Sequence, residues 1–387
     1  MSEATDANGI SQQQLIEWTQ SFVRHPSPQT ELFESDPQIQ SFITEAVVPL
    51  VKQLDLGFRR DDMGNLIIEI GPKRDDRSLM LMAYAMTHPA NRMKSPFDGE
   101  LIGSGNERFV RGRGVSEQKG SLAAALAAVK AATKLKLNGR LTFTVSTAGE
   151  TGRHDAAESI CAAIGAIPRA AVIVIGTTSR VALANKGRID IIVTVRGKAA
   201  HSSTPWAGVN AIEGARLVFD KVLAVPVEGK HSGLGQATLT PTSMRSWPDA
   251  THTVQDEVRL VFDRRLLPGD DPQAIFSVIA AAASIGDPWS VETTFGPFMY
   301  PAEATTTGPL VNAIIKGCER LKLPAPTTFY SHGALDAGYF CAKGAEATMW
   351  GPGEMDQWHS EDERISINDL CSGAQAYYGL IREYLCD

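Results

Sequence analysis

The chain predicts an α/β protein: a mostly parallel sheet covered by helices, carrying an inserted ferredoxin-like α+β domain of βαββαβ order. Three observations carry this expectation. SLMLMAYA (78–85), LTFTVST (141–147) and AAVIVIG (170–176) are continuous apolar runs, as strands buried on both faces show. Helical segments alternate with them, which is the order of a parallel sheet with crossover helices. Near residue 187 the pattern changes, because RIDIIVTVRG alternates apolar and polar residues like a strand with one wet face.

Residues 1–10 read as a disordered lead. Ser11 and Gln14 form a capping-box pattern ahead of Leu15, Ile16, Phe22 and Val23 at helical spacing, and Pro26 stops that helix. A second helix is expected over 36–53, a strand at 65–71, and an Ala-rich helix from Gly120 to Lys136. A helix at 155–164 separates the strands at 141–147 and 170–176. The inserted domain follows as a strand from 187, a helix at 208–224, strands at 236–244 and 254–263, a helix at 271–284 and a strand at 290–296. The chain then returns to helix (308–321), short strands near 327 and at 346–350, and a closing helix (367–384). The domains expected are therefore 1–186 with 299–387, and 187–298.

Composition narrows the function. With 387 residues, 43% of them hydrophobic, the chain can bury more than one core. A net charge of −7 without a Lys/Arg block argues against nucleic acid as a partner. No apolar stretch approaches the roughly 20 residues that span a bilayer. The start, MSEATDANGISQQ, is unlike a signal peptide. Cys161, Cys318, Cys341, Cys371 and Cys386 show no paired spacing, so they read as reduced thiols of a cytoplasmic protein.

Four stretches carry chemistry: GRGVSEQKG (112–120), STAGET (146–151), GKAAHSSTPWAGVNAI (197–212) and GPGEMDQWHSEDE (351–363), with DRRLLPG (263–269) between the last two. In this order, over nearly the whole chain, they resemble the two-zinc aminoacylase and carboxypeptidase family, which includes acetylornithine deacetylase, succinyl-diaminopimelate desuccinylase and glutamate carboxypeptidase. The resemblance implies hydrolysis of an amide bond next to a carboxylate. Two zinc ions would share a bridging Asp and a water, and a neighbouring Glu would take the water's proton.

Carried over residue by residue, the metal positions are uneven. The bridging acid becomes Glu117, the general base is Glu150, and the ligand beside it becomes Thr151. A further acidic stretch reads GTTS (176–179), and the late ligand is His359. The family's His-x-Asp-x-x-Pro falls on Tyr84, Met86 and Pro89. A phenol and a thioether are poor zinc donors, and the lost carboxylates are the charge that two dications need. Glu117 and His359 are thus the remaining metal candidates, where a catalytic zinc usually takes three protein ligands. His154, Asp155 or His88 could supply a third. Alternatively His154 and Asp155 cap their helix or pair with Glu150, and His88 is a turn residue; short-range polar pairs are the commoner case. The cofactor expected is a single divalent metal such as zinc, or none.

The rest of the family's apparatus is better kept. The resemblance implies that His201 in AAHSSTP stabilises an oxyanion in a partner subunit, that Arg265 holds a substrate carboxylate, and that Asn210, His252, His332 and Asp336 lie at the substrate; Asn210 also stands where it would cap or position the following helix. Tyr84 is expected to present its hydroxyl to the substrate. The reading is a hydrolase of an amide or related C–N bond in a small carboxylated substrate, N-acyl or N-carbamoyl amino-acid-like. It would act as a homodimer through the inserted lid domain, with a degenerate metal site. The alternatives are a pseudoenzyme that binds a carboxylated molecule, and a metal-free lyase or isomerase using Glu150 as base.

Overall fold

A computed structural model describes residues 11–105, 107–149 and 151–386. The expected lead at 1–10 and the expected base Glu150 lie outside the described residues. The first helix is Gln12–Val23, closed by the capping box: Ser11 Oγ accepts from Gln14 N–H and Gln14 Oε1 accepts from Ser11 N–H at 2.9 Å. The chain divides into two compact units, one of 1–184, 302–330 and 335–387, the other of 185–301 and 331–334.

In the first unit the described residues form a mixed sheet in the order Arg59–Arg60, Leu66–Ile70, Arg140–Ser146, Ser78–Tyr84, Ala170–Val174 and Glu346–Trp350. The last four strands run parallel to one another. Ser78–Tyr84 is buried at every position, as its uninterrupted apolar run requires. Leu79, Leu81 and Ala83 face one core, with the helices Gly120–Ala132 and Ile367–Leu385. Met80, Met82 and Tyr84 face the other, with the helices Asp155–Ile164 and Ala337–Ala342. The period-two alternation of a strand thus sets Tyr84 at the end of the second stripe. Gly120–Ala132 is buried along almost its whole length, which its alanines permit. Pro309–Arg320 meets Ile367–Leu385 so closely that a Cβ on Gly317 would lie 2.5 Å from the Gly379 carbonyl carbon.

Two departures from the sequence expectation have local causes. The 36–53 helix is continuous only through a wide π-type turn, Phe42–Val47, because Pro49 cannot donate an N–H to the preceding turn. Glu100–Ser104 and Glu107–Arg111 form a small antiparallel sheet with Arg364–Ser366. Their charged faces hide the period-two signal.

The second unit runs strand Gly187–Arg196, helix Ala211–Leu223, strands Thr238–Trp247 and Glu257–Leu266, helix Pro272–Ala283 and strand Ser290–Met299. Its strands pair antiparallel in the order Thr238–Trp247, Glu257–Leu266, Gly187–Arg196, Ser290–Met299. Ile189, Ile191, Val193 and Val195 pack with Val258, Leu260 and Phe262 under the two helices. The other face stays polar, as the alternation in RIDIIVTV demands. Among the described residues no helix is long and apolar enough to cross a membrane.

Candidate active site

Three loops of the first unit meet at one buried ion pair. The Glu363 side chain accepts from Gly114 N–H at 2.8 Å, Ser116 N–H at 3.0 Å, Glu117 N–H at 3.2 Å and Arg113 Nη1 at 2.9 Å. Both members of the Arg113–Glu363 pair have fully buried side chains. Burial pushes the Glu363 carboxyl up, while the backbone N–H groups and Arg113 pull it back. Arg113 Nη2 also donates to the carbonyls of Ser360 and Ala90. One ion pair thereby ties together the segments that carry Glu117, His359 and His88.

Glu117 sits in the tight turn Val115–Lys119, which Gly114 enters at φ 75°. His359 holds φ 59°, unusual for a side chain larger than glycine, and the clamp around Glu363 keeps it there. His359 Nε2 lies 3.3 Å from Glu117 Oε2, and the His88 ring stacks on His359 with centroids 3.8 Å apart. Lys119, also fully buried, donates to the His25 carbonyl at 2.8 Å, and burial lowers its ammonium to about 7. The sequence reading missed Arg113, Lys119 and Glu363. All three lie inside the motifs quoted for other residues, and charged side chains among so many small apolar neighbours were the available signal.

A second cluster hangs from the end of Ser78–Tyr84. Tyr84 Oη donates to Asp336 Oδ2 at 2.8 Å and accepts from Asp336 N–H at 3.3 Å. His154 Nδ1 lies 2.7 Å from Asp336 Oδ1. All three residues are buried. The Tyr84 hydroxyl, expected to face a substrate, is bonded to Asp336, and Asp336, expected at the substrate, is bonded to Tyr84 and His154. His154 precedes helix Asp155–Ile164 without a side-chain capping bond, and Asp155 is exposed in its first turn. Gly149 lets its own backbone approach the strand exit, since a Cβ there would lie 2.5 Å from the Met86 carbonyl oxygen. Gly176 does the same for GTTS, against the Ser116 carbonyl at 2.0 Å.

The second unit holds the remaining candidates. His201 is exposed, and its Nδ1 accepts from Ser203 N–H at 3.2 Å. A nitrogen that accepts an N–H carries no proton, so neutral His201 bears its proton on Nε2. The His252 ring lies 6.0 Å from it, centroid to centroid. Arg265 grips Asp263 with two bonds, Nε at 2.9 Å and Nη2 at 3.2 Å, and Nη1 reaches the His332 carbonyl at 3.4 Å. Any substrate carboxylate would therefore share this guanidinium with Asp263. Asn210 Oδ1 accepts from Ile212 N–H at 3.0 Å and caps Ala211–Leu223. The expected helix cap is therefore present. The His332 side chain is exposed.

The family model of Peptidase family M20/M25/M40 matches residues 87–383. The chain belongs to this peptidase family. A Pyrobaculum aerophilum protein named as a LysW-lysine/LysW-ornithine hydrolase is 26% identical over 69% of this chain and 73% of its own length. A succinyl-diaminopimelate desuccinylase from Helicobacter hepaticus is 21% identical over 80% of this chain and 82% of its own. Among solved structures, an M20-family metallo-carboxypeptidase from Sulfolobus solfataricus covers 98% of this chain and 99% of its own, with a TM-score of 0.74 at 17% identity. The expectation of an enzyme of this peptidase and amidohydrolase family holds, and the mixed α/β fold is the family's.

The donor set does not suit two shared zinc ions. Where the family resemblance calls for imidazole and carboxylates, this chain places a phenol bonded to Asp336, the buried thioether of Met86, and hydroxyls at Thr151 and in GTTS. His154, the nearest replacement, is held by Asp336. Among the described residues no three His, Cys, Asp or Glu side chains are grouped to hold a metal ion.

Proposed function

We propose that this chain hydrolyses an amide or related C–N bond in a small carboxylated substrate, N-acyl or N-carbamoyl amino-acid-like, with one divalent ion or none. The observation that carries this reading is the bonding of Tyr84 to Asp336, at the position the resemblance gives to a metal-binding imidazole. A phenol already donating to a carboxylate is a structural and proton-handling group, not a zinc ligand. Retention of His201 with its proton on Nε2 supports catalysis, because an oxyanion needs a donor and simple binding does not.

The substrate class follows from Arg265 and its cationic neighbours Lys186 and Arg264 in the second unit. Burial, followed by the charges of Arg265 and Arg264, lowers the Lys186 ammonium, and a substrate carboxylate would relieve that crowding. Relatives are named as a succinyl-diaminopimelate desuccinylase and a LysW-lysine/LysW-ornithine hydrolase, and those names support an amide-linked amino acid as the substrate proposed for this chain. We assign the second unit as a lid and dimerisation domain, with His201 completing a partner's site, and place the protein in the cytoplasm. The five free cysteines accord with a reducing compartment.

The test is metal content by elemental analysis of protein purified without chelator, read beside turnover of N-acyl and N-carbamoyl amino acids before and after chelation. Fewer than two metals per chain, with activity surviving chelation, is the expected result. Two tightly held zinc ions whose removal abolishes activity would overturn the metal reading. Binding of the panel without turnover would make the chain a pseudoenzyme, and product formation without addition of water would make it a lyase or isomerase.

A further inference from the structure

We infer that a groove in the second unit, walled by aliphatic side chains and the buried Arg264, binds a free α-amino acid with an aliphatic side chain. A break in a strand pattern marks the place. In strand Glu257–Leu266 the side chains of Val258, Leu260, Phe262 and Leu266 face the helices and are buried. The period-two alternation of a strand puts Arg264 in the same stripe, between Phe262 and Leu266, and Arg265 on the opposite face. Arg264 is only 5% exposed. A guanidinium has five N–H donors and keeps its charge, so burial in an aliphatic stripe is costly unless those donors are met. Here they meet little. Arg264 Nη1 donates to the Arg265 carbonyl, and Nη2 lies 3.8 Å from Asp270 Oδ2, beyond hydrogen-bond reach. That Asp270 oxygen already accepts from Leu267 N–H at 2.9 Å. Burial accordingly holds the Arg264 guanidinium below the usual arginine range, with Asp270 pulling it part of the way back.

Arg264 borders a cavity of about 580 Å³, within the range of small-molecule sites. Leu239, which pairs with Arg264 across the sheet, and Ile275 and Ile279 of helix Pro272–Ala283 give it aliphatic walls. Its charged lining is one cation, Arg264, and three acids, Glu228, Asp270 and Asp271. Asp271 is engaged as a helix cap, its Oδ1 accepting from Gln273 N–H at 2.9 Å and Ala274 N–H at 3.2 Å. A simple anion would meet Arg264 but also this excess of carboxylates, and a simple cation would be repelled by Arg264. An α-amino acid carries both charges on one carbon. Its carboxylate can take the unmet guanidinium donors while its ammonium lies against the neighbouring Asp270. The aliphatic side chain then covers Leu239, Ile275 and Ile279, which favours leucine-like ligands over small or polar ones. Because Arg265 projects from the other face of the sheet, this groove is not where the family resemblance puts a substrate carboxylate.

Isothermal titration of the full chain with leucine tests this, beside isocaproate, which lacks the ammonium, and isoamylamine, which lacks the carboxylate. Binding is measured without turnover, so the outcome is independent of the hydrolase reading. Leucine should bind, and each truncated analogue should bind at least about tenfold more weakly, the consequence of losing one charge-assisted hydrogen bond. Absence of leucine binding up to its solubility, or an analogue that binds as tightly as leucine, would overturn the inference. Arg264→Leu completes the aliphatic stripe, so the variant should fold, and it should weaken leucine at least about tenfold. Ala274 lines the groove at its exposed edge, and Ala274→Trp should block binding with Arg264 still in place. Should Arg264→Leu not fold, Ala274→Trp decides alone. Arg265→Leu, on the other face, should leave leucine affinity unchanged. Binding that survives Arg264→Leu, whether or not Arg265→Leu removes it, would place the ligand elsewhere in the chain and overturn the inference. Methyl NMR then locates the ligand: added leucine should shift the signals of Ile275 and Leu239, assigned with Ile275→Val and Leu239→Met. Unmoved signals in protein that binds leucine would overturn the inference as well.

Discussion

Two histidines, one in each compact unit, are held in opposite protonation patterns by neighbours of opposite character. His154 is buried and faces a carboxylate, so its Nδ1 donates. His201 is exposed and faces a backbone N–H, so its Nδ1 accepts. The same side chain thereby carries its ring proton on opposite nitrogens in the two units. The contrast extends to their surroundings. In the first unit the Glu363 and Asp336 carboxylates are buried, and each accepts from or contacts several partners. The second unit presents His201 at the surface, where one or two bonds orient it. Substitutions should accordingly register as stability and reactivity changes in the first unit and as rate changes in the second.

The interior clamp offers the largest effect. Glu363→Gln leaves the buried Arg113 guanidinium without its counter-charge, and such a loss typically costs about 3–5 kcal/mol. Replacing both partners by uncharged residues, Arg113→Met with Glu363→Gln, should recover most of that stability, since the desolvation of both charges is relieved together. Urea denaturation of the single and double variants checks this. A single variant as stable as the wild type would mean that the first unit is less dry than its burial implies.

Cys161 tests the same interior from another side. Burial, reinforced by the Asp336 charge, pushes its thiol up to about 12 from an ordinary value of 9.0. The thiolate fraction at pH 8 should then fall by about 10³-fold, and alkylation slow with it, because the thiolate is the nucleophile. The sign is that of a raised acid: reactivity appears only as pH climbs towards 12. Labelling followed by peptide mass spectrometry at pH 8 should leave Cys161 unmodified in native protein and modified in urea. Rapid native labelling would mean that water reaches the Asp336 network.

In the second unit the expected loss is kinetic. His201→Ala should lower kcat by about 10²- to 10³-fold, the typical consequence of removing one oxyanion donor. The melting temperature should stay within a degree or two, because an exposed ring with a single local partner contributes little to stability. Mixing His201→Ala with Glu150→Gln protein under subunit exchange should restore part of the activity if one protomer completes the other's site. Verified heterodimers without recovery would assign His201 to its own chain.

What the sequence made legible divides along the same line. Apolar periodicity located the buried strands and both helical layers, because burial on two faces leaves an uninterrupted signature. The motifs led to Glu117, His359, Tyr84 and His201. They could not reveal which partner each side chain would choose. Nothing in LMAYAMTHP names Asp336, which lies 252 residues away yet takes the Tyr84 hydroxyl. Glu363 was read past for the same reason: the donors to its carboxylate, Arg113, Gly114, Ser116 and Glu117, lie about 250 residues earlier and only the fold brings them to it. Asn210 was the reverse case, because a local pattern, Asn before a helix, was enough to foresee its cap.

Asn210 accordingly gives the smallest effect and the finest discrimination. Its Oδ1 satisfies the Ile212 N–H at 3.0 Å, one of the donors that a helix start leaves without an internal partner. Its carbonyl accepts from Trp289 Nε1 at 2.8 Å, a contact that any residue at this position retains. Asn210→Ala should therefore lower stability by about 1 kcal/mol, the usual loss for an N-cap. Asn210→Asp and Asn210→Ser keep a capping oxygen and should recover most of it. Since the amide serves the helix and not the substrate, kcat and KM should both remain within about twofold of wild type in all three variants. Thermal denaturation and steady-state kinetics on the same preparations decide the matter. A rise in KM in the Ser variant, at wild-type stability, would show that the amide reaches a substrate as well as capping its helix.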